Sequence, residues 1–277
     1  MVSRTAYEPP LFDGRSDRPH VMGILNVTPD SFSDGGRHNM AEAALAHARK
    51  MIAEGADILD IGAESTRPNS TPVAEGEEWA RLVPVLADVI ALGTPVSIDT
   101  YKAEIARRAC AEGALMVNDV WGLQKDPAMA DAVAEAGVHV VMMHNRLEAD
   151  GSLDILSDID RFFETSMELA AKAGIARDRQ ILDPGFGFGK TIDQNFLILN
   201  RFETLKKHGL PLLAGASRKR MIGAVLGADI DERLYGTLAV HMTAFLKGAA
   251  IVRAHDVRAH SECARMLEAT FLERNPD

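Results

Sequence analysis

Along the 277 residues, eight short apolar runs each stop at a side chain that can hydrogen-bond or carry charge. In order these are Asn26, Glu64, Asp99, Asn118 with Asp119, His144, Asp183, Ser217-Arg218-Lys219, and Arg253-x-His255. Any one Asp, Asn or Ser in such a place reads equally well as a helix cap, Ser217 in particular. Capping does not account for the Arg and Lys residues, nor for amides closing the first and fourth runs. The types also segregate. The last two runs supply Arg218, Lys219, Arg253 and His255, whose charges and planar forks suit phosphate oxygens. The third, fourth and sixth supply Asp99, Asn118 and Asp183, which lean towards accepting. Such a set suits a flat heterocycle with adjacent N–H donors, such as a 2-amino-pyrimidinone, and it equally suits Mg2+. Residue types alone leave both open.

The stretch ILDPGFGFGKT at 181–191 raises a further possibility, a phosphate-binding glycine loop. A P-loop needs four residues between its first glycine and the Gly-Lys pair. Counting back from Gly189-Lys190 puts that position on Pro184, which has no N–H to offer a phosphate. The dinucleotide fingerprint fails as well, because Lys190 stands where its third glycine belongs. Zinc spacings and the HExxH, CxxC and GxSxG patterns are absent from the chain.

What positions these residues is an alternation of short apolar runs with longer amphipathic segments. The runs fall at 21–26, 56–62, 94–99, 114–118, 138–144, 179–183, 210–215 and 249–254, and most are continuously apolar, as parallel strands covered on both faces are. Stretches such as MAEAALAHARKMIAEG, DILSDIDRFFETSMELAAKAG and DERLYGTLAVHMTAFLKG carry helical spacings between them. Eight strand–helix units predict an α/β chain folded as one (β/α)8 TIM barrel over 21–277, after a loose leader at 1–20. A doubly wound open sheet is the rival, since counting strands does not demonstrate closure. In a barrel the C-terminal strand ends share one mouth, which would gather all the polar residues above. The loops at 26–36 and 64–72 are rich in Gly, Pro, Ser and Thr, as segments that close over a substrate are. Phe32 is the ring in the first of them that could cover a ligand.

Net charge is −10, which disfavours nucleic-acid and anionic-membrane partners. Two cysteines and no apolar run of membrane length suggest a soluble protein of the cytoplasm.

The segments GILNVTPDSFSDGG, DIGAESTRP, SIDT, NDVWGL, DPGFGFGK, SRKRMIG, ERLYGTLA and GAAIVRAHDV, in that order over roughly 21–257, resemble the dihydropteroate synthase family of folate biosynthesis. The resemblance implies a pterin-binding barrel that works as a homodimer with Mg2+. It would join 6-hydroxymethyl-7,8-dihydropterin diphosphate to p-aminobenzoate by an SN1-like substitution, giving 7,8-dihydropteroate and diphosphate. Residue by residue, it implies a pterin pocket of Asp99, Asn118, Met143, Asp183, Phe188 and Lys219, so that the carboxylates read the pterin and not a metal. Asn26 would hold Mg2+ and diphosphate, and Arg67, Arg253 and His255 would bind phosphate oxygens. Phe32, Thr66, Arg67, Pro68 and Ser217 would form the p-aminobenzoate site. The catalytic roles fall to Asp99, Lys219, Arg253 and His255, and Lys190 reads as peripheral. Ala63, Asn69 and Ala216 depart from or vary within the family's pattern, all on the side where sulfonamides act. A pterin-binding methyltransferase would share the barrel but have no use for the SRK and R-x-H cations.

Overall fold

The computed structural model describes residues 18–28, 37–64 and 72–275. Eight parallel strands close into one barrel in sequence order, which excludes the open sheet. They are β1 (His20–Asn26), β2 (Ile58–Gly62), β3 (Val96–Asp99), β4 (Met116–Asp119), β5 (His139–Met143), β6 (Gln180–Asp183), β7 (Leu212–Ala214) and β8 (Ala249–Ala254). Closure is made by β8 against β1, with Val21 opposite Val252 and Met22 opposite Arg253. From β2 to β7 the strands start one or two residues later than the apolar runs, because the first residues of each run finish the preceding loop.

The helices are α1 (Arg37–Ala53), α2 (Glu75–Ile90), α3 (Ala103–Glu112), α4 (Met129–Ala136), α5 (Ile155–Ala173), α6 (Ile192–Asn200), α7 (Arg220–Leu226), α8 (Leu234–Leu246) and α9 (Val257–Leu272). Local signals set several of their ends. Asp154 caps α5 by accepting from the Ser157 N–H, and Gly174 closes it in the left-handed conformation. Thr191 and Gln194 form a reciprocal capping box on α6. The short α7 between β7 and α8 is an element that the periodicity, read as one helix per crossover, does not predict. It ends at Gly227, left-handed, before the chain turns into α8.

Period-two alternation in the strands then decides what the barrel encloses. Met22, Ile58, Met116, Val141, Ile181, Leu213 and Ile251 form a buried apolar plug, a cluster separate from the larger core between strands and helices. Two residues further along the same strands lie Ile24, Asp60, Asn118, Met143, Asp183, Gly215 and Arg253, and β3 contributes Asp99 by the same alternation. The layer above the plug is therefore mostly polar, and it faces the C-terminal mouth.

At the opposite end Arg18 grips Asp57 through two bonds of 2.8 and 2.9 Å, and Asp57 also accepts from the Val21 N–H at 2.7 Å. Residues 1–17 of the expected leader lie outside the described residues.

Near the mouth, Lys102 ties the ground around the second loop. Its ammonium donates to Glu64, to Glu78 and to the Val73 carbonyl, each at 2.5 Å. Thr100 adds a bond to Glu78, Tyr101 one to Glu64, and Arg81 holds the Ala63 carbonyl at 2.9 Å. Burial raises the Glu78 carboxyl, opposed by Lys102. Replacing the cation in Lys102→Met strands two buried carboxylates. The expected cost is about 3–5 kcal/mol in urea denaturation; a loss below about 1 kcal/mol would contradict a charged cluster.

Candidate active site

At the mouth, Arg253 stands between two carboxylates. Its Nε donates to Asp60 at 2.6 Å and one Nη to Asp99 at 2.7 Å. The same Asp60 oxygen accepts from the Asn118 amide at 3.1 Å. Because Asp60 only accepts, it holds the nitrogen of that amide and turns the Asn118 oxygen away. The second oxygens of Asp60 and Asp99 are buried with no protein hydrogen bond, the condition of groups awaiting a polar partner. Burial pushes Asp99 up to about 7 against the pull of Arg253. For Arg253 itself burial works against the charge, yet Asp60 and Asp99 hold it above the usual arginine value.

On the other side Asp183, buried at the end of β6, accepts from the Gly185 N–H at 2.7 Å. Burial raises its carboxyl, and Lys219 and Lys190 oppose that. Lys219 donates to the Phe186 carbonyl and lies over the Phe188 ring, 4.0 Å from its centroid. Burial brings its ammonium down to about 7. Asn118 and Met143 line the same level, both buried. Titratable groups perturbed in opposite directions within one cleft mark a functional site.

The glycine-rich stretch is the wall of this cleft. Gly185 has φ +69°, and a Cβ there would lie 2.0 Å from the His144 carbonyl oxygen. Gly187, at φ +80°, lets the Lys219 stem pass, which a Cβ would meet at 2.8 Å. Lys190 is buried and not peripheral. Its Nζ donates to the carbonyls of Gly185 (2.8 Å), Phe188 (2.9 Å) and His144 (3.3 Å), pinning the loop against the end of β5. Three acceptors match the three N–H groups of an ammonium.

Other polar strand ends prove structural. Asp119 accepts from the N–H groups of Trp121 and Leu123 at 2.8 and 2.7 Å, closing a turn. His144 meets Asp158 at 3.1 Å and packs edge-on against Phe162. Glu64 belongs to the Lys102 cluster, and Arg218 grips Asp256 at 2.7 and 3.0 Å. Ser217 is not the cap of α7, whose N-cap is Lys219. Its Oγ meets His255 Nδ1 at 2.9 Å and accepts the His255 backbone N–H at 3.2 Å. Asn26 ends β1, half-buried at the same mouth. Phe32, Thr66, Arg67 and Pro68 lie outside the described residues.

The model of the family described as pterin binding enzyme matches residues 22–255. A dihydropteroate synthase of Bacillus subtilis is 46% identical over 250 residues, 90% of this chain and 87% of that protein. The chain belongs to the dihydropteroate synthases, a branch of the pterin-binding enzymes. Two solved structures of the Xanthomonas albilineans dihydropteroate synthase are close to it. The complex with 4-aminobenzoic acid has a TM-score of 0.88 at 45% identity, covering 92% of this chain and 94% of that one. The complex with 7,8-dihydropteroate has a TM-score of 0.85 at 43% identity, with the same coverage.

In this dihydropteroate synthase the residue that reading strand ends overlooks is Asp60. It lies inside the apolar run ADILDIG, two positions before the strand ends, so it never counted among the terminal residues. The available signal was parity: Asp60 is the one charged residue on the inward phase of that run.

Lys219 gives this site a measurable cost. Its pKa is depressed in the folded state, so burying its charge opposes folding fully below about pH 7, and the penalty fades as pH rises towards about 10.5. Lys219→Met should therefore gain more stability over wild type in urea at about pH 6 than at about pH 9. An equal gain at both values would refute a buried charged lysine.

Proposed function

We infer that the protein condenses 6-hydroxymethyl-7,8-dihydropterin diphosphate with p-aminobenzoate, forming 7,8-dihydropteroate and releasing diphosphate. The observation that carries this reading is the gathering of Asp60, Asp99, Asn118 and Asp183 at one barrel level with Arg253 and Lys219 set among them. Asp183 faces the cleft with a carboxylate suited to the adjacent amino and ring N–H donors of a pterin. The Asn118 oxygen, turned away from Asp60, adds an acceptor, and Lys219 donates to the ring's oxygen or nitrogen edge. Met143 and Phe188 pack near the flat ring.

Arg253 commits two N–H groups to Asp60 and Asp99, and a guanidinium has five. The remainder, with His255, serve the diphosphate oxygens and stabilise the charge that develops on the leaving group. As the exocyclic C–O bond breaks, the dihydropterin ring spreads the positive charge, and Asp99 lies close to offset it. The arylamine of p-aminobenzoate is neutral at pH 7, so its lone pair attacks the cationic methylene without a strong base. The acidic N–H proton of the resulting anilinium is then lost to water. Ser217, Phe32, Thr66, Arg67 and Pro68 are assigned to its binding.

Mg2+ fits as a ligand shared with the substrate. Asn26 offers one hard oxygen at the mouth, and Mg2+ commonly takes few protein ligands beside phosphate and water. Among the described residues no group of three or more His, Cys, Asp or Glu side chains could hold a metal. When bound, the ion would neutralise diphosphate charge. We also propose a cytoplasmic homodimer without nucleic-acid or membrane partners. Exposed Tyr235, Leu246, Met266 and Phe271 on α8 and α9 support a self-association face. No described helix is long and apolar enough to cross a membrane.

With both substrates and Mg2+, diphosphate should appear in step with dihydropteroate; pterin binding without diphosphate release would reject the reading. Arg253→Lys keeps the charge and loses the fork. It should weaken binding of the dihydropterin diphosphate about tenfold more than that of a dihydropterin lacking phosphates. The latter loses only the bracing of Asp99 and Asn118 by Arg253 through Asp60. Equal weakening of both ligands would remove Arg253 from the diphosphate site.

A further inference from the structure

Beneath the last two strand ends, two histidines that the mechanism does not use are both fully buried: His241 on α8 and His260 on α9. His241 Nε2 lies 2.9 Å from the Ala216 backbone nitrogen, and His241 Nδ1 lies 2.9 Å from His260 Nε2. His260 Nδ1 in turn lies 2.7 Å from the Asp256 backbone oxygen. The two ends of this chain fix its direction. A backbone N–H can only donate, so His241 Nε2 carries no proton. A backbone carbonyl can only accept, so His260 Nδ1 carries one. The middle bond must then run from His241 Nδ1–H to His260 Nε2. Each ring holds one proton, both on Nδ1, and every ring nitrogen is satisfied.

The residues tied together are the neighbours of two site residues. Ala216 precedes Ser217 after β7, and Asp256 follows His255 at the end of β8. Ser217 and His255 are themselves joined by the two bonds already described. Two strand ends are thus bridged twice, once at the mouth and once below it.

We propose that His241 and His260 are positioning residues, a directed neutral relay that holds Ser217 and His255 in register for the p-aminobenzoate carboxylate and the diphosphate. The assignment of those ligands rests on the function proposed above; the relay's direction does not. A proton added to either ring would turn an acceptor into a donor aimed at another donor. The surroundings oppose that proton. Burial lowers His241 well below the usual range, reinforced by His260, Lys219 and His255. Burial also lowers His260, against Asp256, whose carboxylate is held by Arg218.

Long-range 1H–15N spectra of the wild-type protein without substrate read the relay directly. Two histidines should show the Nδ1–H pattern and no titration between about pH 5 and 8; their loss in His241→Leu and His260→Leu assigns them. A Nε2–H pattern, or titration of either ring in that range, overturns the relay. In His260→Leu the ring shifts of His255 should move, and in His260→Gln they should return, because an amide can accept from His241 and donate to Asp256. Kinetically, His260→Leu should raise KM for p-aminobenzoate about fivefold. The kcat should fall severalfold as well, because a displaced His255 stabilises the departing diphosphate less well. The Kd of a dihydropterin lacking phosphates should stay within about twofold, and His260→Gln should restore both KM and kcat. Unmoved His255 shifts, or KM, kcat and pterin Kd worsening together in both variants, overturns the positioning role. A protein with the expected tautomers and His255 response that forms no dihydropteroate would sink the synthase reading while the relay stands.

Discussion

The barrel interior has to hold Asp60, Asp99, Asp183 and Arg253 at one level above an apolar plug, with Lys219 reaching in from the loop after β7. Charges taken from water are tolerated only when paired and hydrogen-bonded. Arg253 meets this demand for Asp60 and Asp99 together, and Asp60 then fixes Asn118 through the same oxygen. Three carboxylates against two cations leave one formal negative charge at this level. A neutral ring that becomes cationic as its substituent leaves is the guest that balances it. Gly62 and Gly215 stand beside Asp99 and Asp183, where even an added Cβ would make only ordinary contact with a carboxylate oxygen at 3.5 Å.

The site is accordingly unsatisfied by design of its neighbours rather than by accident of one residue. Asp99 and Lys219 are both drawn towards about 7, from opposite directions, by the same burial. Groups moved that far from their ordinary values oppose folding, and the strain is carried by a large apolar core between strands and helices. Cleft walls are then stiffened by groups that never meet a ligand. Lys190 pins three carbonyls of the glycine-rich turn, and Lys102 bridges Glu64 to Glu78 beside the second loop.

Much of this was legible in the sequence, and the limits have physical causes. Continuous apolar runs with helical segments between them reveal a covered parallel sheet, and their ends reveal the mouth, so Asp99, Asn118, Asp183 and Arg253 were within reach. Closure was not, because it depends on β8 meeting β1 more than two hundred residues apart in the chain. Asp60 was hidden by being read as strand interior, when its parity marked it as facing inward. Asp119, His144 and Glu64 carry the same residue types as true site groups. Only their partners, the turn at 121–123, Asp158 and Lys102, reveal that they serve the frame. Lys190 resembled a phosphate lysine because its sequence neighbours are glycines. Its acceptors include His144, 46 residues earlier, which no local pattern discloses.

The histidine pair is an instructive contrast to the charged layer above it. Each ring is bonded to the backbone beside a group assigned to anions, His241 to Ala216 next to Ser217 and His260 to Asp256 next to His255. Protonated, the rings would add positive charge there. Their hydrogen bonds forbid it: with a donor at one end and an acceptor at the other, the chain is complete only when both rings are neutral. Positive potential at that corner of the mouth is then left to Arg253 and Lys219, which lie over the cleft. Fully bonded groups, whether neutral like these rings or charged like Lys190 and Lys102, set position, while incompletely bonded groups are left to address the ligand. That division explains why His241 and His260, among the most deeply buried of the described histidines, bond to backbone atoms and to each other, while one oxygen each of Asp60 and Asp99 is left buried with no protein partner.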